Sequence, residues 1–465
     1  MAVDRLSPQD ASFLHIEDDV SHMHIASVGI FEGPPPRYED VVAMLASKLP
    51  LVKRYRQVVK FVPLALGRPV WVDDRNFNIE YHVRHTALPA PGGEFELRKL
   101  VGRVMSQQLD RSKPLWEIWM VEGLENGRWA LLSKTHHAMV DGVSGTDLMS
   151  VVMDISPEPP EPVADDWRPM PGPSDLDLAL EAVSELALSP YEQLRALRAR
   201  TRVPRQAARS ALDALQGVSA MRGLARPTPP SSLNGPIGPH RRYAWASSTV
   251  EEVKAVRKGL GGTFNDVVLT AITRGFRDLL LSRGESVDRV VRTLVPVSVR
   301  ARDASGRAVG DGTFDNKVSA MFAELPVSLV RLDETLAAIS AQMDNLKESK
   351  QALAGEAITS LSGFAPPMLL ALGARIAGRL PQRNINTVTT NVPGPQLPLY
   401  AAGCKMLAAY PYVPLASRVR IGVAIFSYNG QVNFGVTGDY DTVPDIEVLC
   451  LGIERAMREM VDQSG

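Results

Sequence analysis

The sequence predicts an α/β protein with mixed sheets, arranged as two halves around a proline-flanked helical connector. Three observations carry that prediction. Strand-like and helix-like patterns are interspersed throughout, Asn-Gly hairpin signals occur in both halves, and two proline clusters break the pattern between residues 156 and 240. With 465 residues the chain has room for two domains of ~100–200 residues each. We divide it into 1–155, a connector at 156–240, and 241–465.

In the first half, HMHIASVGIFEG (22–33) reads as a strand and YEDVVAMLASKL (38–49) as a helix. EFELRKLVGRVMSQQLD (94–110) reads as a second helix, with Leu97, Leu100, Val101, Val104, Met105 and Leu109 on one face. WEIWMVEGLENGRWALLSKTHHAMVDG (116–142) holds two apolar runs joined through Asn126-Gly127, residues that tolerate the positive φ of a tight hairpin. Its second strand should deliver His136 and His137 at its end.

The connector begins with SPEPPEPVADDWRPMPGP (156–173) and ends with PTPPSSLNGPIGP (227–239), both too rich in proline for helix or central strand. Ser174 to Arg226, rich in alanine and leucine, reads as one or two helices. Asp154 to Ala187 carries nine acidic residues and only Arg168, whereas Pro190 to Arg226 carries eight arginines against Glu192 and Asp213. The basic stretch fits either an anionic lipid surface or a helix packed on the protein. In the second half, Thr263 to Gly284 reads as a helix with Thr263 as N-cap and Asp266 three residues on. The strand VVRTLVPVSVR (290–300), the Asn-Gly hairpin VRIGVAIFSYNGQVNFGVTGD (419–439) and a last helix from about Asp445 complete the pattern.

Lys plus Arg number 51 and Asp plus Glu 52, so no overall charge is available to grip nucleic acid. Cys404 and Cys450 are the only cysteines, which excludes a disulfide framework and any multi-cysteine metal site, and fits a reducing cytoplasm. The N-terminus lacks the apolar run of a signal peptide. The apolar stretch from Phe364 to Leu380 contains Pro366, Pro367, Arg375 and Arg379 and falls short of the ~20 apolar residues that span a bilayer. A soluble or peripheral protein is expected.

His136-His137-Ala138-Met139-Val140-Asp141-Gly142 is the outstanding constellation. Imidazole accepts and returns a proton near neutrality, and adjacent residues leave a strand on opposite sides. One histidine can therefore face a cleft as base while the other turns into the fold as support. A structural pair of buried histidines is an alternative. A metal site using His136, His137 and Asp141 is disfavoured because neighbouring histidines diverge and no further His or Cys lies close by. No G-x-S-x-G nucleophile elbow is present, and the glycines at 259, 261 and 262 form no convincing G-x-G-x-x-G after a strand.

HHAMVDG matches the HHxxxDG motif of the chloramphenicol-acetyltransferase-like superfamily of acyltransferases and condensation domains. LSPQDASFL (6–14), LDRSKPLWE (109–117), NDVVLT (265–270), DNKVSAMFAELP (315–326) and TNVPGP (390–395) narrow the resemblance to the bacterial wax ester synthase/diacylglycerol acyltransferase family, most closely its actinobacterial triacylglycerol synthases. The resemblance covers nearly the whole chain outside 156–240. It implies two chloramphenicol-acetyltransferase-like half-domains with a tunnel between them.

By the same resemblance His137 is the general base, and His136 and Asp141 support it. Asp141 is implied to pair with an arginine of the second half, whose local match is Arg300; a solvated strand-end arginine is the alternative. Gly142 permits the tight loop after the motif. Asn265 and Asp266 match the family's ND motif at a helix N-terminus, where an amide and free N–H groups suit an oxyanion or a CoA phosphate, though capping alone explains Asp266. Pro114-Leu115-Trp116 matches a motif associated with the substrate channel but is equally well explained as core. Asp315-Asn316 stands where the family often has Gly-Asn.

The implied activity moves a long-chain acyl group from acyl-CoA, a co-substrate, to diacylglycerol, with no cofactor and no metal. Transfer to a long-chain fatty alcohol, giving wax esters, and a non-catalytic condensation-like module that binds lipid or a carrier protein are the alternatives. A cytoplasmic enzyme peripheral to a membrane or lipid-droplet surface is expected.

Overall fold

The computed structural model of the chain describes residues 4–139, 152–159, 161, 163–184, 228–298, 318–348 and 384–465. In chain order the first half supplies helix α1 (Pro8–Ile16), β1 (His24–Phe31), α2 (Tyr38–Lys48), β2 (Gln57–Lys60), β3 (Val70–Asp73), β4 (Val83–Ala87), α3 (Glu94–Met105), β5 (Trp116–Glu122) and β6 (Trp129–His136). Beyond the connector come β7 (Arg241–Thr249), α4 (Val250–Leu260), α5 (Phe264–Ser282), β8 (Val291–Ser298), β9 (Val318–Leu325) and α6 (Leu332–Glu348). The chain then forms β10 (Thr387–Pro393), β11 (Tyr400–Ala401), β12 (Cys404–Tyr412), β13 (Ile421–Tyr428), β14 (Gln431–Asp439) and α7 (Ile446–Ser464).

Two six-stranded sheets organise these elements, with orders β11-β12-β1-β6-β5-β4 and β7-β14-β13-β10-β8-β9. Parallel pairs, β4 with β5 and β10 with both β13 and β8, sit beside antiparallel ones, so both sheets are mixed as the sequence predicts. The first sheet is not built from the first half alone. Strand β12, from the second half, pairs antiparallel with β1 and places Tyr412 opposite Ala26.

Local sequence accounts for most of the elements. In both hairpins the Asn-Gly residues take positive φ: Asn126 at 62° and Gly127 at 66°, Asn429 at 44° and Gly430 at 83°. Thr263 caps α5 reciprocally with Asp266, Thr263 N–H donating to Asp266 Oδ2 at 2.8 Å and Asp266 N–H to Thr263 Oγ1 at 3.3 Å. Helix α3 buries the expected face but stops at Met105, short of the Asp110 read from the sequence. Ser106 Oγ bonds Gly102 O at 2.6 Å, and the buried Lys134 ammonium takes the carbonyls of Val104 and Gln107. Two of the last turn's carbonyls, those of Gly102 and Val104, are thus satisfied without further helix.

An aromatic seam joins the two sheets. Trp245 of β7 stacks on Tyr410 of β12 at 4.4 Å, and Arg98 of α3 lies 4.3 Å over the Trp245 ring. Tyr243 donates its hydroxyl hydrogen to Pro411 O at 2.8 Å, and Asn433 Nδ2 donates to Ala409 O at 3.0 Å. Along the connector, Arg56 pairs with Asp165 and lies 4.8 Å over Trp167, while Leu178 and Ala182 of the helical residues 175–184 pack against Val62 and Val70. The remainder of the expected helix up to Arg226 lies outside the described residues. Among the described residues no helix is long and apolar enough to cross a membrane.

At β14 the second sheet approaches β12 so closely that a Cβ on Gly435 would lie 1.6 Å from the backbone oxygen of Pro411. Gly435→Ala should therefore lower the unfolding free energy by at least ~2 kcal/mol through overpacking. Denaturant titration of both proteins checks this, and a change below ~0.5 kcal/mol, the range of neutral surface substitutions, contradicts the close approach.

Candidate active site

The end of β6 sets the site. Its ladder with β1 places His136 opposite His24, and its ladder with β5 places Thr135 opposite Trp116. Backbone bonding continues one residue past the strand: His136 N–H donates to Leu115 O at 2.9 Å and His137 N–H to Met23 O at 2.8 Å. The two imidazoles therefore depart on opposite sides, as strand alternation requires.

His136 is the inward one, 1% exposed. Its Nδ1 accepts the N–H of Ala138 at 3.0 Å, and its Nε2 lies 3.3 Å from Glu17 Oε2. Glu17 Oε1 lies 3.3 Å from His24 Nε2 and accepts the N–H of Met23 at 3.2 Å, while Arg111 reaches Oε2 at 2.5 Å. Burial by itself raises the Glu17 carboxyl, but contact with His136 and His24 outweighs it and holds the group well below the usual carboxylate range. Burial pushes His24 down to about 3. Arg241 of β7 donates to the carbonyl of Val20, so the second half also grips the loop that leads into β1.

His137, partly buried, stacks on Phe13 of α1 with ring centroids 4.0 Å apart and planes at 27°. Burial lowers its pKa to about 4, against a raising bond to its own backbone carbonyl, and His136 lowers it further. Such a ring is neutral at physiological pH and free to accept a proton.

The other expected residues divide into three groups. Asn265 and Asn391, from the ND and NVPGP motifs, meet through a bond from Asn391 Nδ2 to Asn265 Oδ1 at 3.4 Å. Asp266 is 1% exposed and engaged in capping, and Leu115 and Trp116 are core, with Trp116 stacked between Tyr55 at 4.6 Å and His82 at 4.5 Å. Asp141, Gly142, Arg300 and Asp315-Asn316 lie outside the described residues.

The family model of the wax ester synthase/diacylglycerol acyltransferase catalytic domain matches residues 6–268, and that of the family's C-terminal domain matches residues 314–461. The chain belongs to the wax ester synthase/diacylglycerol acyltransferase family. A Mycobacterium tuberculosis (strain H37Rv) protein described as a probable diacylglycerol O-acyltransferase is 35% identical over 99% of this chain and 96% of its own. The solved wax ester synthase/diacylglycerol acyltransferase of Marinobacter aquaeolei VT8 superposes with a TM-score of 0.66 at 26% identity, covering 99% of this chain and all of its own. The first condensation domain of the calcium-dependent antibiotic synthetase, 15% identical with a TM-score of 0.59 over all of this chain and 96% of its own, shares the fold. Both the family and the two-half fold read from the sequence are therefore shown.

Phe13 and Arg111 lie within the LSPQDASFL and LDRSKPLWE motifs, but the sequence assigns no role to them, nor to Glu17, His24 and Arg241. The available signal was density: His15, Glu17, His22 and His24 fall within ten residues, and the chain has only eight histidines.

The buried histidines link stability to pH. Burial holds His24 at about 3 and both His82 and His137 at about 4, whereas an unfolded histidine titrates near ~6.5. Between those values the unfolded chain binds more protons than the native one, so stability is complete above ~6.5 and drains away as pH falls toward 4. Denaturant titrations should show a loss of about 1.4 kcal/mol per pH unit for each of these histidines. Stability that is flat across this window contradicts neutral burial.

Proposed function

We propose that the protein transfers a long-chain acyl group from acyl-CoA to the free hydroxyl of diacylglycerol, with His137 as general base. The observation that carries this reading is the neutral, stacked His137 at the end of β6, in a chain whose relatives are described as diacylglycerol acyltransferases. His137 takes the hydroxyl proton as the acceptor oxygen attacks the thioester carbonyl. The tetrahedral oxyanion collapses, the C–S bond breaks, and the CoA thiolate leaves, recovering the proton from the imidazolium. With Oδ1 engaged by Asn391, the Asn265 amide keeps its Nδ2 hydrogens for the oxyanion or a CoA phosphate.

Asp141 pairs with Arg300 in this proposal and holds the loop after the histidines, Gly142 permits its turn, and no cofactor or metal is needed. A covalent acyl-enzyme has little support from the cysteines, since burial pushes Cys450 up to about 12 and raises Cys404. The acidic-then-basic charge order of 154–226 supports peripheral association with a membrane or lipid-droplet surface.

The test is labelled palmitoyl-CoA with diacylglycerol or hexadecanol presented in vesicles. The protein should form triacylglycerol faster than wax ester, and His137→Ala should lower turnover by ~10²–10⁴-fold with circular dichroism unchanged. Full turnover in His137→Ala contradicts the base assignment, and product from hexadecanol alone overturns the diacylglycerol reading.

A further inference from the structure

We propose that helix α1 is part of the acyl-transfer machinery and that Phe13 and Glu17 are positioning residues for the histidine pair, an inference that rests on the acyl-transfer reading above. Phe13 lies in the last turn of α1 and Glu17 is the capping residue just past Ile16, so both side chains sit at the same end of the helix. From that end they reach both members of the pair. Phe13 lies against the ring of His137 with centroids 4.0 Å apart, and Glu17 lies beneath His136 with Oε2 3.3 Å from Nε2.

The helix is fixed at both ends. Ser7 caps its start by accepting Asp10 N–H at 3.1 Å, and Leu6 N–H bonds Pro69 O at 2.9 Å. At the other end Arg111 takes both Leu14 O at 3.2 Å and Glu17 Oε2 at 2.5 Å. Arg111 belongs to the segment that leads into β5, so the motif carrying Trp116 and the helix carrying Phe13 are tied together by one guanidinium.

The choice of residues separates this helix from a simple prop. A helix that only covered the end of β6 would present aliphatic side chains to it. Helix α1 instead lays an aromatic face on an imidazole and sinks a carboxylate to 3% side-chain exposure among ring nitrogens. The first contact excludes water from one face of His137 and limits its rotation. The second fixes the plane of His136, whose Nδ1 in turn holds the N–H of Ala138, the residue after the base. Among the described residues, the charged and titratable groups around the pair are Glu17 at the end of α1, His22 just before β1, His24 at its start, Arg111 before β5, Lys134 of β6 and Arg241 of β7. Phe13 is the uncharged member, so replacing it changes hydration without changing charge.

Four variants test the proposal: Phe13→Tyr, which keeps the ring, Phe13→Leu and Phe13→Ala, which lose it, and Glu17→Gln, which keeps the shape and removes the charge. Histidine NMR titration follows His137, its resonance assigned by its loss in His137→Gln, and turnover is measured with palmitoyl-CoA and diacylglycerol. In the unaltered protein and Phe13→Tyr, His137 should titrate well below the ordinary value. In Phe13→Leu and Phe13→Ala it should rise by at least ~1 pH unit as water reaches the ring. For these two and for Glu17→Gln, kcat should fall ~10–100-fold, the scale of a misplaced catalytic group, with KM for palmitoyl-CoA little changed. Phe13→Leu, which fills part of the ring's volume and leaves the rest open to water, stands for the loss of the ring if Phe13→Ala does not fold. Turnover in Phe13→Leu and Glu17→Gln equal to the unaltered protein's, whatever the titration shows, overturns the proposal. An unaltered protein that makes no ester from any acceptor defeats the acyl-transfer reading instead, and the titrations then report separately whether α1 holds the ring.

Discussion

Neighbouring residues of a β-strand point to opposite sides, and at the last position of β6 and the residue after it this constraint separates two identical side chains into two environments. His136 is carried under the sheet, where an unpaired polar ring is costly, and Glu17, His24 and the Ala138 N–H surround it. His137 is carried to the other side, where Phe13 covers it. The ladders from β1 and β5 fix this outcome, because a slip of one residue would exchange the two rings.

The same burial that keeps His137 neutral opposes the imidazolium that the proposed base chemistry would form. In an acyl transfer the cation does not form alone. An anionic oxygen develops beside it, and in a site of low dielectric their attraction is far stronger than in water. The proposed base, covered on one face by Phe13, is therefore matched to a reaction that creates opposite charges together. Glu17 contributes a second fixed charge, held ionised in spite of burial by the rings and the guanidinium around it.

Much of the fold was legible because it is local. Asn126-Gly127 and Asn429-Gly430 mark their own turns, Thr263 and Asp266 mark their own helix start, and the periodic face of α3 marks its buried side. The pairing of β12 with β1 was not legible, since its determinants, the Gly435 approach to Pro411 and the stacking of Trp245 on Tyr410, exist only once distant segments meet. The site divides in the same way. Adjacent histidines announce their divergence through strand geometry, but Glu17 and Arg111 stand 94 residues apart and neither belongs to a local pattern that requires the other. Even the end of α3 depends on a lysine from β6.

The central claim is that a buried, neutral imidazole at position 137 accepts the acceptor's proton. The acid limb of kcat/KM for palmitoyl-CoA with saturating diacylglycerol tests it most directly, because that limb reports ionisation in the enzyme before acyl-CoA binds. The account predicts that, over the pH range in which circular dichroism shows the protein folded, no limb appears at the ordinary histidine value and activity falls only toward pH 4, the value to which burial lowers His137. A limb centred at or above the ordinary histidine value of ~6.5 contradicts it.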